Sequence, residues 1–455
     1  MNESPKIVIR SKNRQAQAPT GQRTLKIAPQ DIGLNGRNSA FDAYREQAFE
    51  ALQKMTLPDI RDEAWRRTDI SKLNPEDFSI HSNIPIEVED SDVIPDELLR
   101  PIASQKHGGQ LVLFGDTVQV EVDRVLTEQG VIFDDLKNVV RDHPELVKKI
   151  CGTVVKLDEG IFASAGSLAE HGAFLYVPRG VKIDNPLHSL TWSGGEGQLL
   201  LSHMIVYLED DAEATLVHES ASPEQKGNSI LHSGIVEITV GSRANLRFVE
   251  LQSWSRHVWN FTHERAVVHS DGQFDWIFGA VGSKLTKNFS DLVLQGQGAI
   301  GRMSGFYFTD QDQHFDHDTS QNHLAAHTTS DLLFKGALRD TSRSVWQGMI
   351  YVAPGAIKAD GYQSNRNLVL SKKARADSIP GLEILADDVR CTHGATIGKI
   401  DPEPIFYLTS RGIPKKEAEQ LVVEGFFDPI MQRIPFDGVR ERFYRSIKQK
   451  MDNHF

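Results

Sequence analysis

Apolar residues in the first third of the chain recur every three or four positions. Phe41, Tyr44, Ala48, Leu52 and Met55 share one helical face. Asn38 or Ser39 is placed to cap that helix, and Leu57–Pro58 closes it. Further helices are predicted around Pro95–Ile102 and Phe133–Ile150, with a short strand at Gln110–Phe114. Residues 38–150 therefore read as a mainly helical domain. Ahead of it, residues 1–37 carry seven Lys/Arg against Glu3 and Asp31 and little aliphatic periodicity, as expected of a mobile polar tail.

From Cys151 the texture changes. Short apolar runs such as Ala173–Val177, Met204–Leu208, Ile235–Val240 and Leu246–Leu251 alternate with Gly, Asp, Asn and Ser. Three segments, VYLEDDAEATLVHES, VEITVGSRANLRFVEL and AVVHSDGQFDWIFGAV, share one form: strand, tight polar turn, small residue, strand. Their turns centre near Asp211, Ser242 and Gly272, with another near Gly298, spaced by roughly 30 residues as in a repeat architecture. Such a period without crossover helices predicts a solenoid over 151–400, in which each coil covers its neighbour's apolar face. A β-sandwich is the competing all-β reading.

Helical signals return after Gly398. Pro402–Ser410 forms one candidate helix, stopped by Gly412. Pro414 opens a second with Ala418, Leu421, Val422 and Phe426 as its apolar stripe. Asp437 can cap a third bearing Val439, Phe443, Ile447 and Met451. Residues 401–455 thus form a small C-terminal helical domain.

Bulk composition narrows the function. The net charge of −12 gives no general attraction for nucleic acid. No apolar run is long enough to span a membrane, and the N-terminus has no secretory core. The two cysteines, Cys151 and Cys391, do not make a disulfide framework, so a cytoplasmic location is expected.

The sharpest chemical feature is LEILADDVRCTHGATIG, residues 382–398. If Val389–His393 is extended, Cys391 and His393 point to one face, with Cα atoms about 6.5 Å apart. A thiolate and an imidazole at that spacing can meet on one iron or one small cluster. A cluster generally takes four protein ligands. This strand offers two, so the missing ligands would come from another chain. The plainer alternative is a buried cysteine beside a hydrogen-bonded histidine.

Two other clusters read as structural. His314, His317, His323 and His327, with Asp310, Asp312, Asp316 and Asp318, invite a metal reading, but their stretch is flanked by solenoid-like strands, where polar ladders are expected. Asp387–Asp388 fits a turn better than an acid/base couple. No nucleotide-binding or hydrolase motif stands in its required context.

From about Gly160 to Phe427 the chain resembles the SufB/SufD family of iron–sulfur cluster assembly scaffolds. The resemblance rests on HFDHDTSQNHLAAHTTSDLLFKGAL, VWQGMIYVAPGAIKADGYQSNRNLVLS, PGLEILADDVRCTHGATIG and IFYLTSRGIPKKEAEQLVVEGFF. Upstream, LPDIRDEAWRRTDISKL is similar to the entry of the family's N-terminal domain. C-x-H-G-A-T-x-G followed by F-Y-L-x-S-R-G-I resembles the D-type form of the family's pattern.

The resemblance implies a right-handed parallel β-helix between helical N- and C-terminal domains, with no enzymatic turnover of its own. It implies pairing with SufB along the β-helices. The SufC ATPase would dock on the C-terminal helices, here through Phe406, Tyr407, Arg411, Leu421 and Phe426. It assigns His393 and Cys391 to a nascent cluster or iron shared with SufB, and it leaves open a reduced flavin in the complex and a homodimer of the isolated chain. Three rival readings are a carbohydrate-active β-helix enzyme, a self-contained metalloprotein using His314–His327, and a purely structural adaptor.

Overall fold

The computed structural model describes residues 23–34, 39–80, 94–99, 107–115, 117–224, 229–434 and 437–452. Helix α1 (Ala40–Leu52) starts where the sequence places it: the Ser39 hydroxyl accepts the Asp42 N–H at 3.0 Å and the Asp42 carboxylate accepts the Ser39 N–H at 3.1 Å. Short helices α2 (Asp96–Leu99), α3 (Arg124–Glu128), α4 (Leu136–Asp142), α5 (Pro144–Ile150) and α6 (Ile161–Gly166) follow.

Two expectations for this region need correction. Residues 23–34 are not a solvated tail: Leu25, Ile27 and Ile32 are buried in the same apolar cluster as Trp65, Ile70 and Leu73. Residues 1–22 and 35–38 lie outside the described residues, as does part of the helix expected at Pro95–Ile102. Ile132–Asp135 is also not helical. It is a strand, β3, pairing antiparallel with β4 (Ala173–Val177), because Phe133 and Asp135 must both turn inward. Two further strands, β1 (Gly109–Phe114) and β2 (Thr117–Val122), form a hairpin, and β1 runs parallel to β5 (Leu187–Trp192). The helical region therefore also supplies the strands that close one end of the coil.

Beyond β4 the chain winds into a parallel β-solenoid of about eight turns. Its strands include β6 (Leu199–Leu208), β8 (Ile230–Val240), β16 (Arg343–Val352), β17 (Asp360–Val369), β18 (Arg375–Ile384) and β19 (Arg390–Lys399). Even-numbered strands stack in one sheet and odd-numbered strands in the other, each in register with the strand one coil away. Many strands run ten residues or more, longer than their apolar runs, because inward positions also hold His, Asn, Gln and Ser.

The corners are built from left-handed residues at Asp211, Arg243, Asp271, Gly298, His327, Lys358 and Asp388. Asp and Gly tolerate that backbone, which is why the repeat was visible in the turns. Each corner N–H from Asp211 to Lys358 donates to the carbonyl of the next coil's corner, for example Arg243 to Ser270 and Lys358 to Asp388.

The interior is layered. A small polar cavity among His218, His232, Glu250, Asn260 and Thr262 lies toward the N-terminal end. Burial, with Glu264 adding, holds the Glu250 carboxyl up, while burial raises the neighbouring Glu264 against hydrogen bonds from Thr262, Ser290 and Glu250. Beyond it Trp276, Phe278, Phe315, Phe334 and Trp346 fill the middle. Gly336 is glycine because a Cβ there would strike the Tyr307 ring at 2.1 Å.

On the outer face, the fully buried Lys287 ammonium sits 3.0 Å from Asp316 and 2.5 Å from Asp318. Thr68 bonds both Asp316 and, at 2.8 Å, His314. Thr68 thus ties the N-terminal segment to an ion pair within the coil, and breaking such a buried pair costs about 3–5 kcal/mol.

Three helices close the chain: α7 (Pro402–Ser410), α8 (Lys415–Met431) and α9 (Asp437–Asp452). The stripe expected on α8 is rotated. Ala418, Val423, Phe427 and Ile430 are buried, whereas Leu421 is exposed and Phe426 partly covered. Val439, Phe443, Ile447 and Met451 bury as the sequence predicts. Phe443 meets Phe306 edge-on at 4.4 Å, and Lys450 reaches the buried Asp310 at 2.8 Å. Among the described residues, no helix is long and apolar enough to cross a membrane.

The buried imidazoles couple stability to pH. His317 lies among Phe278, Tyr307, Phe315 and Phe334, its Nε2 has no partner, and burial pushes its pKa down to about 3. The unfolded imidazole takes a proton near pH 6.5 while the folded one does not, so stability is lost as pH falls below that value. His317→Phe should flatten the pH dependence between 6.5 and 5 by about one proton, near 1.4 kcal/mol per pH unit. Urea melts of both proteins across that range check it; parallel slopes would contradict it.

Candidate functional site

The last coil of the solenoid is uncovered. β18 and β19 are the terminal strands of their sheets, and β19 is paired only with β17. Among the described residues no strand pairs with their outer edges, and inward-facing side chains that would be buried one coil earlier meet solvent. Leu382, Ile384 and Ile397 are each more than a third exposed.

Within β19, register fixes direction. Cys391 stacks on Gly361 and His393 on Gln363, and both partners are buried toward the lumen. Alternation therefore puts Cys391 and His393 on the same, lumen-side face of an end strand. A larger residue at Gly361 would crowd this approach: a Cβ there would lie 3.2 Å from the Cys391 sulfur and 3.2 Å from His323 Nε2.

Cys391 is half-buried beside Ile350, Val352, Ala356 and Ala359, whereas His393 is exposed. Burial pushes the Cys391 thiol up and the Asp360 carboxylate adds to this, while a Gly361 backbone hydrogen bond acts against both. Arg390 pairs with Asp360 and is directed away from the thiol's face. Among the described residues, no third His, Cys, Asp or Glu joins Cys391 and His393 in a set of three close enough to hold an ion. Two candidate ligands stand at an open end, and no other described residue completes them.

The histidine-rich stretch does not converge. His314–His323 is one strand, with His314 outward on Thr68 and His317 in the aromatic interior. His323 bonds Thr328 and Ser330 at 2.8 Å, and His327 occupies a corner. Asp388 likewise holds a left-handed corner. On the C-terminal helices, Phe406 is 73% and Tyr407 57% exposed, and the Arg411 guanidinium lies 5.1 Å from the Tyr407 ring centre.

One constellation had no signal in the sequence. Cys151, His203 and Glu237 come from the end of α5, from β6 and from β8, and their donor atoms lie within 4.8 Å of one another. Burial, with Glu237 adding, keeps the Cys151 thiol protonated. Linear spacing cannot reveal this set, because only the stacking of coils brings it together.

Comparison with known proteins agrees with this architecture. The family model for the SUF system FeS cluster assembly SufBD core domain matches residues 191–426, and that for the SufBD protein N-terminal region matches 34–188. An iron–sulfur cluster assembly SufBD family protein of Staphylococcus saprophyticus is 30% identical over 423 residues, spanning 90% of this chain and 89% of its own length. A Staphylococcus epidermidis protein of the same description is also 30% identical, and one from Staphylococcus aureus strain USA300 is 29% identical, each over the same shares.

The two thiols should separate in alkylation. At neutral pH iodoacetamide should modify Cys391 more slowly than a free thiol, with the rate rising as pH approaches and passes 9. Cys151, whose thiol burial raises further, should react more slowly still until the chain is unfolded. Peptide mass spectrometry checks both; rapid native labelling of Cys151 would contradict the described burial.

Proposed function

The chain belongs to the SufBD family of iron–sulfur cluster assembly proteins, and we propose that it acts there as the D-type scaffold subunit, SufD. The observation that carries this reading is the open last coil, which presents two cluster-type ligands and too few companions. An uncovered strand edge is a template for another chain's strands. A second β-helix, that of SufB, would continue the sheets past β18 and β19 and bury Leu382, Ile384 and Ile397. It would also bring further ligands to Cys391 and His393. The nascent cluster is cargo of the complex, built from delivered iron and sulfur and passed on.

The chain contributes no turnover of its own. Energy would come from the SufC ATPase docked on α7 and α8, where Phe406, Tyr407, Arg411 and Leu421 form an exposed aromatic and apolar surface. Phe426, partly covered, packs instead against the apolar cluster between the helices and the coil. Because α8 and α9 pack on Phe306 and Phe308 of the coil, a movement of these helices is felt by the strands beneath them. The complex would work in the cytoplasm.

His393→Ala should leave assembly with SufB and SufC intact, because the side chain is exposed and makes no internal contact the fold needs. Iron bound to the purified complex should fall to background. Unchanged iron content in an intact complex would overturn the role given to His393.

A further inference from the structure

We propose that Cys151, His203 and Glu237 form a binding site for one divalent first-row metal ion, such as zinc or ferrous iron, at the joint between the helical region and the coil. It lies away from the open end and does not depend on the assembly reading.

His203 and Glu237 are on neighbouring strands of the nine-stranded sheet, facing outward, since Met204, Val206, Val236 and Ile238 face the core. Both are essentially inaccessible, at 0% and 1% exposure. The Glu237 carboxylate is aimed by the backbone of the segment after α5: Oε1 accepts from Val154 at 2.8 Å and Val155 at 2.9 Å, and Oε2 accepts from Gly152 at 2.8 Å. Oε2 also stands 2.9 Å from His203 Nε2. His203 Nδ1 is buried without any partner, and so is the Tyr44 hydroxyl, which feels the charge of both Glu237 and Cys151.

The donor set is sulfur, nitrogen and oxygen, suited to borderline divalent ions, with metal–ligand distances of about 2.0–2.3 Å. An ion would replace the proton shared between Oε2 and Nε2. The imidazole proton would move to the vacant Nδ1, the thiol proton would leave to solvent, and no electron would be transferred. A dication with one thiolate, one carboxylate and a neutral imidazole carries no net charge, so burying the set avoids the cost of an unpaired buried ion. Cys151, the partly accessible member, gives the route of entry. Three protein ligands leave a fourth position, for which the unpartnered Tyr44 hydroxyl or a water is available.

The test uses the full chain, stripped of metal by chelation and titrated with cobalt(II). One equivalent should bind, giving a near-ultraviolet thiolate-to-cobalt absorption and raising the melting temperature. Cys151→Ser should abolish the absorption and the thermal shift. Cys391→Ser should keep both, which separates this site from the open-end pair. Loss of the band in Cys391→Ser, its persistence in Cys151→Ser, or no band in folded wild type would overturn the proposal. If Cys151→Ser fails to fold, X-ray absorption of zinc-loaded Cys391→Ser decides: one sulfur neighbour with nitrogen and oxygen supports the site, and none overturns it.

Discussion

Coil-to-coil backbone hydrogen bonding is the constraint on which the rest of this molecule depends. Each strand is completed by the one a coil earlier and the one a coil later, and the left-handed corners extend that ladder around the bend. A stack of this kind satisfies every backbone group except at its two ends. One end is closed by the antiparallel strands that the helical region contributes. At the other, β18 and β19 are left as the final layer. The exposure of Cys391 and His393 is therefore a property of their position in the stack.

The helical segments at either side have different attachments. On the N-terminal side, Trp65 packs on Phe162, Phe261 and Phe289, Thr68 bonds Asp316 of the coil, and Glu237 collects three backbone N–H groups. On the C-terminal side, aromatic packing through Phe306, Phe308, Phe427 and Phe443 dominates, with Lys450 and Asp310 as a buried tie.

Much of this was legible in the sequence where local chemistry dictates local shape. Asp, Gly and Ser at the corners announced the repeat, Ser39 announced the first helix, and alternation alone put Cys391 and His393 on one side. What stayed hidden depends on contacts between distant residues. Leu25, Ile27 and Ile32 look too sparse to fold until Trp65 and Ile70 cover them. Phe133–Asp135 resembles the start of a helix until Ala173–Tyr176 supplies a strand to pair with. Leu421 and Phe426 satisfy a helical period, yet the coil covers the neighbouring stripe instead. Strand lengths were underestimated because a parallel coil can bury histidine, asparagine and glutamine against one another, which hides strand inside polar sequence.

The filled middle of the coil has a consequence for traffic. Trp276, Phe278, Phe315, Phe334 and Trp346 block the axis between the polar chamber near His232 and the layer that carries Cys391. Among the described residues these rings fill the axis, so on the proposed reading an ion or sulfur atom reaching Cys391 would come across the open rim and not along the column.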